Sequence, residues 1–435
     1  MDHIESWNRY RNLRYQALPE RVKTVAGQCV LDWFACAIAG SEEPLSGILR
    51  AEFEHRHGAC TVIGAELKVD ALTAALLNGS AGHALDFDDT SASIGCHATA
   101  PVFPAALALA EELGASGERL MTAFVVGVEV EGRVGNGLGP EHYGKGWHTT
   151  STLGVFGAAA AAAHLLGFDD RQFGMAIGLA ASQASGLKAN FGTMTKPFHA
   201  GHAAERGLLA ARLAARGFTA NADAVAANQG LAQAAGTGSL NIAKLAHIAD
   251  RWLIEDSLFK YHAACYLTHA AIESTLRLRT RVSAADLSAV TVTVNPALLD
   301  VCAIMAPRTG LEGKFSLTGT MAMAFLGIDT ADQANFVDAI VQREDVQSLL
   351  GKIRIETDAS LSNMQARVMC VDRHQRCHDE AYDAGIPATD LDAQRQKLDQ
   401  KFLNLSQGHY GARASQVRDR IDALPSVRDL SEFAI

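Results

Sequence analysis

The stretch Gly146-WHTTSTLGVFGAAAAAAHLLG-Phe168 runs for 23 residues without an Asp, Glu, Lys or Arg. Its length suits a bilayer span, but Ala, Gly, Thr and His favour insertion far less than Leu, Ile, Phe or Val do. Small side chains do let helix axes approach closely, so the run predicts an interior helix over residues 153–166, packed tightly against its neighbours. Those neighbours repeat the pattern. Val22, Val25, Cys29 and Trp33 step by three, four and four, placing them on one face of a helix that ends near Gly40. Residues 104–113, 120–130, 173–185 and 203–216 show the same spacing, and Asp169 and Asp170 stand where a helix N-cap belongs, after a stop at Gly167. Residues 19–269 therefore predict a compact helical domain.

The pattern changes after about residue 280. Leu287-SAVTVTV-Asn295 alternates β-branched with small or polar residues, as do Lys352-IRIE-Thr357 and Ala366-RVMC-Val371. Helical stretches at 319–326 and 331–345 lie between the first two strands. The tail, 391–405 and 413–424, returns to helix. The expected plan is mainly α: an all-helical domain over residues 1–269, completed by 401–435, with an α+β domain inserted over 270–400. No repeat of 20 to 50 residues supports a solenoid.

Half of the chain is apolar (48%), one fifth is charged, and 38 basic residues face 48 acidic ones for a net charge of −10 over 435 residues. A chain so constituted folds rather than staying disordered. The acidic balance argues against nucleic acid or an anionic membrane as a principal partner, while leaving room for a local cationic pocket. The eight cysteines include no C-x-x-C pair, which fits reduced thiols in a cytoplasmic protein. The polar start MDHIESWNRYRNLRYQ has no apolar core of a secretory signal.

The phosphate loop, the G-x-S-x-G nucleophile elbow and the H-E-x-x-H zinc motif are absent from the sequence. Gly135-NGL-Gly139 lacks a preceding βαβ unit, and His374, Cys377 and His378 with Cys370 read as a polar loop after a strand. What remains are four clusters of ionisable residues in apolar surroundings. Asn78-GSAGHALDFDD-Thr90, followed by Cys96-His97, places three carboxylates within four residues, and such a group resists burial unless cations or hydrogen-bond donors compensate it. Lys145-Gly-Trp-His148 precedes the Ala-rich helix, where the helix dipole lowers a histidine's pKa and favours a neutral imidazole that accepts a proton. Thr193-MTKPFHAG-His202 and Phe259-KYHAA-Cys265, followed by His269, each embed a lysine among apolar residues. Together these clusters could abstract a proton next to a carboxylate and hold the resulting enediolate, a task that needs a base of near-neutral pKa and fixed positive charge. No metal or organic cofactor is required for it.

In this order the segments NGSAGHALDFDDT (78–90), HATAPV (97–102), GWH (146–148), TKPFHAG (195–201), FKYHAAC (259–265) and EGKFSL (312–317), with Asp32 and Gly40, resemble the MmgE/PrpD family. That family includes 2-methylcitrate dehydratase, cis-aconitate decarboxylase and iminodisuccinate epimerase. The resemblance implies an all-helical domain with an α+β lid, a homodimer, and a small di- or tricarboxylate as partner. It also implies Asp86, His97, His148 and Lys196 as catalytic residues, and Asp89, Thr90, Lys260, His262 and Cys265 at the substrate. Two departures bear on the reaction. The family's decarboxylases carry a histidine five residues after the lysine matching Lys260, where this chain has Cys265, and the loop SASIGCHATA (91–100) differs from the version of the methylcitrate dehydratase branch. The expectation is a cofactor-independent lyase, most simply a dehydratase of a 2-methylcitrate-like hydroxy acid, with an epimerase as the alternative. A non-catalytic helical binding protein would instead leave these ionisable side chains apart.

Overall fold

The computed structural model describes residues 10–235, 238–241, 244, 251–302 and 304–433; residues 1–9, most of the polar start, lie outside them. The chain divides into two compact units, one formed by residues up to Phe259 together with those from Ala388 onward, the other by Lys260–Pro387. The division falls some ten residues before the expected 269/270 boundary, so that Lys260, His262 and Cys265 belong to the second unit.

The first unit is built on α1 (Glu20–Gly40), α2 (Pro44–Phe53), α3 (Ala71–His83), α4 (Thr99–Leu113), α5 (Gly117–Leu138), α6 (Gly154–Leu165), α7 (Asp170–Ala181) and α8 (Thr195–Ala215). Val22, Val25, Cys29 and Trp33 are all buried on α1, as their spacing predicts. This helix is long and apolar enough to cross a membrane, and most of it is buried inside the unit. The Ala-rich run forms α6, with Ala158 through Ala163 at most 1% exposed. It packs against α4, α5 and α8. Asp169 caps α7 in a reciprocal capping box with Gln172.

Close helix contact at glycines sets the centre of this unit. A Cβ on Gly201 of α8 would lie 2.1 Å from Leu76 O and 2.2 Å from Ser80 Oγ of α3, and one on Gly79 would lie 2.8 Å from the Gly201 Cα. Only glycine allows this approach. The glycines of the NGSAGH and TKPFHAG motifs thus bring together the end of α3 and the start of α8.

Three expectations need correction here. The unit is not all-helical: β1 (His57–Thr61) pairs with β2 (Lys68–Val69), and β3 (Thr90–Ser91) with β4 (Ser257–Leu258). These ladders are too short to show a period-two pattern. Helix α4 starts five residues before Pro104, because the N–H groups of a first turn have no partner within the helix and Pro101 there costs little. Helix α8 likewise starts at Thr195 rather than near Ala203, so the lysine of TKPFHAG lies in its first turn.

The second unit carries β5 (Leu287–Val294), β6 (Ile353–Thr357), β7 (Gln365–Asp372) and β8 (Cys377–Asp383) in the order β6-β5-β7-β8, parallel between β5 and β6 and antiparallel elsewhere. Val290, Val292, Val294, Val368 and Cys370 form a core with Ala270, Ala271 and Leu278 of helix His269–Arg279 and with Leu317, Met321 and Phe325 of helix Leu317–Leu326. Of the residues read as a polar loop, Cys370 lies in β7, His374 lies in the turn after it, and Cys377 and His378 begin the strand 377–383. That strand is the half-exposed edge strand β8, where solvent on one side removes the apolar alternation. The helix expected over 331–345 is broken into short pieces, since Asp329 and Asp332 accept from the backbone N–H groups of Ala331 and Ala334 and compete with helix.

Candidate active site

The site begins where α3 stops. His83 ends the helix, and Asp86 turns the chain with φ +50°, a left-handed conformation that Asp tolerates better than most side chains. The chain bends again at Asp88 before it enters β3, so neighbouring carboxylates diverge. Asp86 and Asp88 join one group of side chains, while Asp89 turns the other way and accepts from Thr99 Oγ1 at 2.9 Å.

Asp88 is fully buried between two histidines. His83 Nδ1 lies 3.0 and 3.1 Å from its two oxygens, and His97 Nδ1 lies 3.1 Å from Oδ2, at ion-pair distance without hydrogen-bond alignment. Burial alone would raise the Asp88 pKa, but His83 and His97 outweigh it and hold the carboxyl well below its ordinary range. The ionised carboxylate can only accept, so Nδ1 of His83 carries the proton. His83 is itself pushed down to about 4, chiefly by burial, against the pull of Asp88. At neutral pH an anionic Asp88 thus faces a neutral His83.

His97 stands between the two aspartates, with Nε2 3.5 Å from Asp86 Oδ1. The same Asp86 oxygen takes the Lys196 ammonium at 2.8 Å. Lys196 lies at the positive end of α8, where a cation is disfavoured, and the Asp86 carboxylate offsets that cost. His148 precedes the four-residue helix Thr149–Thr152, its Nδ1 3.0 Å from Nδ1 of His199. Between two neutral rings one nitrogen must donate and the other accept, so the pair holds complementary tautomers. The His148 pKa is driven far below its ordinary value, by burial first and then by His83, Lys196 and His97. The lowered direction agrees with the sequence expectation, but burial rather than a helix dipole is the largest cause. So depressed an imidazole is a weak base, better suited to fixed hydrogen bonding than to taking a proton.

His97, His148, Lys196 and Asp86 therefore meet in one place: the His83 ring centre is 4.5 Å from that of His97 and 5.9 Å from that of His148. Asp89 and Thr90 do not join them. Asp89 is buried beside Asp32, and burial, with Asp32 and Asp88, keeps its carboxyl protonated well above the ordinary range. The Thr90 hydroxyl donates to Cys96 O at 3.1 Å and closes the loop before α4. In the second unit, Lys260 is buried, His262 Nδ1 is 2.8 Å from Thr330 Oγ1, and the His262 ring lies 4.9 Å from that of His269. The contact does not need a shared helix face, because His262 lies before the helix that His269 begins. Cys265 is half-buried and hydrogen-bonds the Cys302 thiol.

Asp88, His83 and His199 belong to this group; they lie in the ionisable clusters of the sequence, which gave them no role of their own. His199 stands three residues after Lys196 on the same helix, a spacing that shares a face. Among the described residues, one ligand atom each from His83, Asp86, Asp88 and His97 lie within 4.8 Å of one another, a donor set able to hold a divalent cation. Two of these donors are already engaged, Asp86 by Lys196 and Asp88 by His83, and an ammonium 2.8 Å from a ligand oxygen opposes a second cation there.

Comparison with known proteins yields two matches to family models, the MmgE/PrpD N-terminal domain over residues 8–242 and the MmgE/PrpD C-terminal domain over residues 262–424. A "Cis-aconitate decarboxylase-like protein oryM" of Aspergillus oryzae is 33% identical over 225 residues, 49% of this chain and 47% of that protein. A cis-aconitate decarboxylase of Aspergillus terreus is 28% identical over 372 residues, 79% of this chain and 75% of the relative. The Homo sapiens cis-aconitate decarboxylase is 30% identical over 304 residues, 67% of this chain and 62% of the relative. The first of these alignments thus spans about half of the relative's length. Decarboxylases are lyases, and these likenesses support a lyase.

Proposed function

This chain belongs to the MmgE/PrpD family, and on that premise we propose that it is a lyase acting at the carbon next to a carboxylate of a di- or tricarboxylic acid. The observation that carries the proposal is the placement of His97, with Asp88 3.1 Å behind one ring nitrogen and the Asp86–Lys196 pair beside the other. The charge of Asp88 stabilises the imidazolium that forms when Nε2 takes the substrate's α-proton. The electron pair left on carbon spreads into the carboxylate as an enediolate, and the Lys196 ammonium lies where that charge develops. When the neighbouring carbon bears a hydroxyl, the pair becomes a double bond as the C–O bond breaks. The departing oxygen takes up a proton, leaving an unsaturated acid and water. Dehydration of a 2-methylcitrate-like hydroxy acid is the simplest reaction of this kind.

A second reading is favoured by the relatives' names. In decarboxylation of cis-aconitate the C–C bond to a carboxylate breaks, CO2 leaves, and a protonated His97 delivers the proton to the resulting carbanion. Cys265, in place of the histidine of the family's decarboxylases, weighs against it. Epimerisation, in which the enediolate is reprotonated on its other face, needs a base and an acid on opposite faces of one carbon and no leaving group. A homodimer in the cytoplasm is part of this proposal, and light scattering on the purified chain tests the dimer. Turnover of hydroxy acids and of cis-aconitate, compared between the parent and His97→Ala, tests the reaction. A loss of at least about 100-fold in the variant supports the assigned role, and near-parental turnover contradicts it.

A further inference from the structure

The loop that carries Asp86 and Asp88 is held from behind by a residue more than three hundred positions away. Lys401 lies on the helix Leu391–Tyr410 and is only 6% exposed. Its ammonium donates to Asp32 Oδ1 of α1 at 2.6 Å and to the backbone oxygen of Phe87 at 2.5 Å, and it lies 4.0 Å from the centre of the Phe87 ring. Phe87 is itself buried and is the single residue between the two site carboxylates.

We infer that Lys401, held by Asp32, is a positioning residue that fixes the Asp86–Asp88 turn and thereby the Lys196–Asp86–His97–Asp88 arrangement. Three observations support this. A left-handed Asp86 carries a conformational cost that its surroundings must offset, and one peptide further on the Phe87 carbonyl is clamped by a charged donor. A buried ion pair contributes little net stability compared with well-packed apolar residues, so Asp32 and Lys401 need an explanation other than fold stability. The carbonyl they reach belongs to the Phe87–Asp88 peptide and sets where the Asp88 side chain leaves the backbone, and that side chain lies against both His83 and His97. Burial opposes the charge on Lys401, but Asp32 and neighbouring groups outweigh it and hold its pKa above the ordinary value, while the Asp32 carboxyl is itself raised by burial against the pull of Lys401.

The inference rests on the lyase reading for its kinetic consequence but not for its structural one, and one experiment separates the two. The double variant Asp32→Asn, Lys401→Met removes both charges together, leaves no unpaired ion buried, and deletes the donor to Phe87. Its melting curve, backbone amide exchange by mass spectrometry over residues 84–92, and kcat and KM on a carboxylic acid that the parent turns over are compared with the parent's. The expected result is a folded protein whose exchange over 84–92 is at least about tenfold faster while the helices keep their protection. With it, kcat falls about 100-fold and KM stays within about threefold, because displaced groups misplace the chemistry rather than remove a binding contact. Parental exchange, or parental kcat despite faster exchange, overturns the inference. A double variant that fails to fold also overturns it, since the pair would then hold the fold rather than the turn. If the parent turns over none of the acids tried, the lyase reading fails while the exchange data still decide the role of Lys401.

Discussion

Gly201→Ala tests whether contact between α3 and α8 builds the site. The added methyl would meet Leu76 O at 2.1 Å, Ser80 Oγ at 2.2 Å and Ser80 N at 2.9 Å. Ordinary contact with the nearest of these needs roughly 1.3 Å more space, so the helices must part or α3 must bend. Overpacking of this size costs about 1–3 kcal/mol. Leu76 O also accepts the Ser80 N–H in the helical ladder, and disturbing that bond adds about 1 kcal/mol. Replacing a helical glycine by alanine returns about 1 kcal/mol. The net is a destabilisation of about 2 kcal/mol, which for a body of this size lowers the melting temperature by about 2–3 °C. Gly408→Ala is the control, because its Cβ meets nothing within 4 Å and the substitution should be neutral or stabilising. Differential scanning calorimetry of both variants, with turnover of the same samples, makes the comparison. Lys196 precedes Gly201 by little more than a helical turn, so opening the helices should also stretch its contact with Asp86 and lower kcat about 10-fold to 100-fold. Melting of Gly201→Ala at or above the parental temperature with full turnover would refute the reasoning.

Asp88→Asn should lower kcat about 100-fold to 10,000-fold with little change in KM, since it keeps the shape but removes the charge behind His97; steady-state kinetics check it. The same variant should lose about 1.5–3 kcal/mol at neutral pH by denaturant titration. The Asp88 carboxyl is held below its unfolded value, so its contribution is complete above about pH 4 and fades as pH falls from there toward the folded pKa; the gap to the variant should close over that window. Glu131 has the opposite sign. Burial, with Asp89 adding to it against a hydrogen bond from Cys96, raises its pKa well above the ordinary value, so its contribution is complete below about pH 4.5 and is lost as pH rises toward the folded pKa. Glu131→Gln should therefore flatten the decline of stability above pH 5 by up to about 1.4 kcal/mol per pH unit, read from urea midpoints at several pH values. Lys196→Ala should lose turnover at least about 100-fold with its melting temperature nearly unchanged, which a calorimeter and the same assay establish together.

The helices were readable from the spacing of their apolar residues: the three-four-four steps of Val22, Val25, Cys29 and Trp33 suffice for α1, and β5 follows from its alternating valines. Motifs likewise pointed to the carboxylate-rich turn and to the lysine of α8. Composition could not separate Asp88 from Asp89. The two are adjacent and chemically identical, and only the path of the backbone, left-handed at Asp86 and bent at Asp88, sends one to the histidines and the other to Thr99. Nor could it find Lys401, whose partners Asp32 and Phe87 are distant in sequence. Edge strand β8 stayed hidden because its sequence, CHDEAYD, answers to solvent as much as to the sheet.

The central claim is proton transfer at carbon next to a carboxylate, with His97 as the base. Proton NMR of the chelator-treated protein in deuterated water, with methylcitrate, citrate, cis-aconitate and iminodisuccinate in turn, tests it most directly. Disappearance of an α-proton signal together with the signals of a new olefin, a vinylic proton from citrate or an allylic methyl singlet from methylcitrate, absent with His97→Ala, is the predicted result. Deuterium entering without a new olefin would move the assignment to epimerisation, and CO2 release from cis-aconitate would move it to decarboxylation. A folded protein that exchanges no proton and forms no product with any of these acids would contradict the account.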